Sequence, residues 1–112
     1  MRYKGVVQKG EERGGALGFP TINIPLEGEH AGGIFAAMVF VDGKEYIAAA
    51  YVNNSRHILE AHLLDFSDDL YGKEVEIELL EKIRGDKKFA DETSLKQAIA
   101  DDVAKVREFF KN

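Results

Sequence analysis

The sequence contains no cysteine, which excludes disulfides, thiolate metal sites and a thiol nucleophile. A cysteine-free chain fits a reducing cytoplasm, the compartment expected here. Basic residues are in deficit too: 15 lysines and arginines face 20 aspartates and glutamates, for a formal charge of -5. Long-range attraction to nucleic acid or to an anionic membrane is therefore not expected. An anionic nucleotide would need local help from a metal ion, backbone amides or single basic side chains. No apolar stretch approaches the ~20 residues that span a bilayer. The opening Met1-Arg2-Tyr3-Lys4-Gly5 has no apolar run after its charges, so it does not read as a signal peptide. Repeats, low-complexity tracts and linkers are absent, and the 112 residues read as one domain, 1–112, with a monomer as the default expectation. A chain of this size buries about two-thirds of its unfolded surface, enough for one core without covalent staples.

Prolines are scarce, and both fall in one segment. Pro20 and Pro25 favour extended backbone from Phe19 onward and forbid a helix there. Residues 3–8 read as a short first strand and 27–33 as a loop. Residues 34–41 are apolar on both faces, the pattern of a strand covered on two sides. Asp42-Gly43 supplies a two-residue hairpin turn, and 44–52 returns. Asn53-Asn54-Ser55 marks the next turn, before a strand over 58–64. Asp68-Asp69 and Gly72 bracket another. Over 74–79, Glu74, Glu76 and Glu78 alternate with the inward-facing Val75, Ile77 and Leu79. Leu95, Ala98, Ile99, Val103, Val106 and Phe110 then follow helical spacing, with Asp91 or Ser94 as cap and Ser94 with Gln97 as a capping box. About six antiparallel strands and one helix predict a mainly β protein, a barrel whose mouth the helix covers.

Candidate chemistry begins with Gly10-Glu11-Glu12-Arg13-Gly14-Gly15-Ala16-Leu17-Gly18. This is neither a Walker loop nor the dinucleotide fingerprint. Read blandly it is a surface loop; read functionally, its glycines let backbone amides approach phosphates. Thr21 and Asn23 follow, two apart on an extended segment, so their side chains leave the same face. A hydroxyl and an amide oxygen side by side suit Mg²⁺, although both groups also commonly bond neighbouring backbone. Glu60 shares a strand face with His62, opposite Leu59, Ala61 and Leu63. It is either a proton acceptor for an alcohol nucleophile or a solvent-facing strand residue. His57 and His62 point to opposite faces and cannot share a metal, and His30 is isolated. Asp65, Asp68 and Asp69 lack calcium-loop spacing. No Gly-x-Ser-x-Gly elbow supports serine hydrolase chemistry.

In order along the chain, these landmarks resemble the riboflavin kinase family, including the kinase half of bacterial bifunctional FAD synthetases. Arg13-Gly14, then Leu17-Gly18-Phe19-Pro20-Thr21-Ile22-Asn23, is similar to the family's Pro-Thr-Ala-Asn signature, with Ile22 in place of Ala. Gly33-Ile34-Phe35-Ala36 resembles its Gly-Val-Tyr-Ala strand. Leu59-Glu60-Ala61-His62-Leu63-Leu64-Asp65-Phe66 with Leu70-Tyr71-Gly72 is the closest match, followed by Ile83-Arg84, Phe89 and a helix carrying Asp102.

The resemblance implies a six-stranded antiparallel Greek-key barrel with a C-terminal helix, and transfer of the γ-phosphate of ATP to riboflavin to give FMN. It implies Mg²⁺ held by Thr21 and Asn23, and a nucleotide flap that includes Arg13, Gly14, Gly15, Leu17 and Gly18. Glu60 would be the base, with Arg84 and Phe89 near the flavin. Two departures bear on activity. Gly15 stands where the family usually has a second basic residue, and the link from Val52 to Glu60 is shorter than usual. The alternative is a catalytically weakened barrel that binds flavin or nucleotide. With no adenylyltransferase half in the sequence, FAD synthesis is not expected.

Overall fold

Strand alternation and turn chemistry decide most of the architecture. The computed structural model describes residues 1–8, 18–66 and 68–111. Among them are strands β1 (Arg2–Val6), β2 (Ile22–Pro25), β3 (Gly33–Val41), β4 (Lys44–Asn53), β5 (Ile58–Leu63) and β6 (Glu74–Arg84), then helix α1 (Glu92–Phe110). The strands form one antiparallel sheet in the order β1-β6-β3-β4-β5-β2. Its two ends curl back to meet. The Gln8 amide donates to the Asn23 carbonyl at 2.8 Å. Gly5 of β1 lies so near β2 that a Cβ there would sit 3.0 Å from the Ile24 Cβ. The result is the six-stranded, nearly closed barrel that was expected.

Inward positions alternate along each strand and fill the barrel. Ile24, Val39, Val52, Leu59, Val75 and Ile77 are fully buried there. The β3–β4 hairpin turns on Asp42 and Gly43, with φ of 53° and 75°; successive left-handed residues match the twist of the strands they join.

β6 runs on to Arg84, past the end of the alternation. Ala37 pairs with Leu79 but Ala36 with Glu81, and Phe35 pairs with Lys82 but Ile34 with Arg84. Leu80 and Ile83 are thus extra residues in two bulges. Each resets the inside–outside phase, so residues beyond Leu79 lose their period of two while remaining in the sheet.

The helix does not cover the mouth. Val106, fully buried, joins Ala36 and Leu64 in a second apolar cluster, flanked by Ile47, Ala49, Ile83, Val103, Phe109 and Phe110. Ala36 and Ala49 are ladder partners on the outward face of β3 and β4. Their small side chains let α1 lie against the outside of the wall, which is why β3 reads as apolar on both faces. Burying Val106 stabilises this docking by about 2 kcal/mol. Asp91 is the N-cap, accepting from the Ser94 amide at 2.7 Å. The Ser94–Gln97 capping box does not form; the Gln97 amide instead donates to Asp101 at 3.0 Å.

Candidate active site

A row of outward-facing positions crosses five strands. Asn23 is opposite Glu60 in the β2–β5 ladder, Glu60 opposite Tyr51, Tyr51 opposite Ile34, and Ile34 opposite Arg84. Opposed side chains in an antiparallel ladder share a face, with Cβ atoms about 4.5–5.5 Å apart. At ~4.8 Å per strand the row covers about 19 Å of wall.

At one end Asn23 is only 5% exposed, yet its Oδ1 has no hydrogen-bond partner among the described residues. An orphaned buried acceptor costs about 1–3 kcal/mol. A dehydrated amide oxygen is also the kind of hard donor Mg²⁺ takes, usually alongside water and substrate phosphates. Thr21, half-buried and two residues earlier, adds a hydroxyl. The pair therefore fits the expected metal. Among the described residues no cluster of three or more histidines and carboxylates offers a different cation site.

The backbone leading into β2 is pinned to β5. His62 Nδ1 lies 2.7 Å from the Pro20 carbonyl and must be the donor, since a carbonyl only accepts. The Phe19 ring meets His62 edge-on, with centroids 5.6 Å apart. Gly18 precedes it with a φ of 89°. Glu60 is half-buried beside Asn23, and the Asn53 amide reaches its Oε2 at 3.5 Å. Beyond Glu60, the Tyr51 hydroxyl donates to both carboxylate oxygens of Asp86, at 3.2 and 3.1 Å. Burial, reinforced by the Asp86 charge, pushes the Tyr51 phenol up to about 12.

At the far end Arg84 is committed to the helix. Its Nε and Nη2 donate to Oδ1 and Oδ2 of the buried Asp102 at 2.8 and 2.9 Å, and Nη1 donates to the Gly85 carbonyl at 3.1 Å. The guanidinium carbon stands 5.5 Å from the Phe89 ring centroid. Arg84 and Phe89 are thus neighbours, with the arginine fork already filled by Asp102.

The short Val52–Glu60 link is a tight turn with its polar groups in use. Asn54 accepts from the His30 amide at 3.1 Å and donates to the His30 carbonyl at 2.7 Å. The Leu26 amide donates to the His57 carbonyl at 2.8 Å. Away from the row, Arg2 pairs with Glu76 and Lys4 with Glu74 around a depression that Phe40 helps to line.

Of the residues singled out in the sequence, Asn23 and Glu60 are direct neighbours, Thr21 stands two residues before Asn23 at the entry to β2, and Arg84 and Phe89 lie together at the row's other end. Arg13, Gly14, Gly15 and Leu17 lie outside the described residues. His62 is signalled in the sequence by its place two residues from Glu60 on the same face. Tyr51 and Asp86, 35 residues apart, had none.

Residues 1–110 match the family described as flavokinase, riboflavin kinase. The bifunctional riboflavin kinase/FMN adenylyltransferase of Escherichia coli K12 is 37% identical over 115 residues, covering 95% of this chain and 37% of that protein. The chain therefore spans little more than a third of the length of this relative. Riboflavin kinase from Trypanosoma brucei superposes with a TM-score of 0.70 at 26% identity, over 99% of this chain and 80% of that one. A Streptococcus pneumoniae protein described as a macrolide-efflux protein superposes with a TM-score of 0.84 at 28% identity, over 95% of this chain and 38% of that one. With a match that runs nearly end to end and the barrel to accompany it, this chain belongs to the riboflavin kinase family.

Proposed function

We propose that the chain transfers the γ-phosphate of ATP to the ribityl 5′-hydroxyl of riboflavin, giving FMN and ADP, in the cytoplasm and as a monomer. The observation that carries this is the Asn23 Oδ1, buried directly opposite Glu60 and without a hydrogen-bond partner among the described residues. Thr21 and Asn23 would hold Mg²⁺, which when bound neutralises phosphate charge and aligns the γ-phosphoryl group. Glu60 accepts the hydroxyl proton as the oxygen bonds to phosphorus and the bond to the ADP oxygen breaks. A base in this position contributes about 10²–10⁴-fold. The rest is positioning, which phosphoryl transfer needs more than covalent help. His62 holds the Pro20 carbonyl and so fixes the approach to Thr21. Gly18 and the preceding Arg13, Gly14, Gly15 and Leu17 cover the nucleotide. Arg84 and Phe89 flank the flavin ring, Phe89 through its face and Arg84 mainly by keeping Phe89 and the helix in place. The names of the Escherichia coli and Trypanosoma brucei relatives support the substrate.

The tight turn between β4 and β5 favours a second reading, a barrel that binds flavin or nucleotide but turns over weakly. Incubation with riboflavin, ATP and Mg²⁺ separates the two. FMN formation that falls by 10² or more in Glu60→Gln, the scale of a lost general base, supports the kinase. Quenched riboflavin fluorescence without FMN supports the binding module, and full turnover by Glu60→Gln removes Glu60 from its role.

A further inference from the structure

We infer that Tyr51 is a positioning residue for the flavin half of this site, acting through the segment between β6 and α1 that its hydroxyl ties down. The inference rests on the kinase reading and adds a residue to it. Tyr51 stands in the row between Glu60 and Ile34, on the side of Glu60 away from Asn23. Its hydroxyl spans both oxygens of Asp86. Asp86 lies two residues after Arg84, in the stretch that leads to Phe89 and then to the helix cap at Asp91.

That stretch, 85–90, has no regular structure and is largely exposed. Its ends are fixed, by the Arg84–Asp102 pair before it and by the Asp91 cap after it. Between those ends, a side-chain hydrogen bond from Tyr51 returns the segment to the barrel wall. The bond is to a carboxylate, which strengthens it. Phe89 then faces the site only as well as Asp86 is held. Tyr51 thus sets how far the segment closes over the wall beside Glu60, where a flat apolar ring with a hydroxylated tail would lie. The nucleotide end of the row, at Asn23, lies on the other side of Glu60 and does not feel this tether.

Tyr51→Phe deletes one oxygen and keeps the ring, so the barrel stays folded. The segment itself carries a reporter, the exposed tryptic sites Lys87 and Lys88. In Tyr51→Phe, cleavage at Lys87 and Lys88, mapped by mass spectrometry, should be several-fold faster than in the native chain. Asp86→Ala should give the same acceleration, and the double variant no more than either alone. In turnover, the riboflavin KM of Tyr51→Phe should rise about tenfold, equivalent to ~1.4 kcal/mol, with kcat within twofold and the ATP KM unchanged. Unchanged cleavage in both single variants would overturn the tether, as would equal rises in the two KM values. The proteolysis needs no catalysis. A native chain that makes no FMN sinks the kinase reading, while the cleavage ratio still decides for or against the tether.

Discussion

Replacing Asn23 by leucine should make the ligand-free protein more stable and the ligand-loaded protein less so. Leucine matches asparagine in branching and size but carries no acceptor. Asn23 is 5% exposed and its Oδ1 has no partner among the described residues, so the substitution removes a buried oxygen whose cost, taken towards the low end of the range above, is about 1–2 kcal/mol. For a chain of this length, 1 kcal/mol corresponds to roughly 4 °C in Tm. In EDTA the variant should therefore melt about 4–8 °C above the native chain. With Mg²⁺ and ADP at a hundred times the Kd, the native chain gains about 2.7 kcal/mol by mass action, or some 11 °C, and the variant gains little. The rank order of the two melting points inverts on adding ligand. Differential scanning fluorimetry with and without Mg²⁺·ADP reads both halves. A variant that melts several degrees below the native chain in EDTA would mean that the amide oxygen is already satisfied. An undiminished shift with Mg²⁺·ADP would mean that it is not a ligand. Either result refutes the reasoning.

Asp102→Ala should cost about 3 kcal/mol in urea unfolding, at the low end for breaking a buried ion pair because 24% of the Arg84 side chain still reaches water. The same truncation at Asp65, whose side chain is 73% exposed in its pair with Arg107, should move the midpoint far less; comparable losses would contradict the burial argument. Tyr51 should ionise near 12 in an absorbance titration at 295 nm. Because its folded pKa lies above the unfolded value of 10.0, its contribution is complete below pH 10 and is lost as pH rises towards 12. Tyr51→Phe should abolish the late step.

What was legible in the sequence was what obeys a fixed period. β5 alternates without interruption, so the outward direction of Glu60 and His62 could be read directly. Asp42-Gly43 specified its turn because few residue pairs accept two left-handed conformations in succession. β6 became illegible at Leu80, where the first bulge broke the phase. The helix was legible as a helix, but its landing place was not. An apolar stripe states that it needs a partner, and the choice between barrel mouth and outer wall lay in the alanines Ala36 and Ala49, which read simply as apolar. In the site, the spacing of Thr21 and Asn23 raised the expectation of a shared face, while the pairing of Asn23 with Glu60 depended on a register between two strands far apart in the sequence. Arg84 and Phe89 were each placed near the flavin by resemblance, but nothing local shows that Asp102 would claim the arginine fork.

The paired bulges of β6 impose an even–odd rule on chain length. Each adds one residue, and two together return Arg84 to the outer face, where Asp102 waits. Deleting a single residue between Leu79 and Arg84 would turn the guanidinium towards the barrel interior and leave a carboxylate stranded under the helix. Deleting both extra residues would straighten the strand and still deliver the arginine to its partner. Homologous insertions and losses in this stretch should accordingly come in twos, a constraint that acts on the number of residues there more than on their identity.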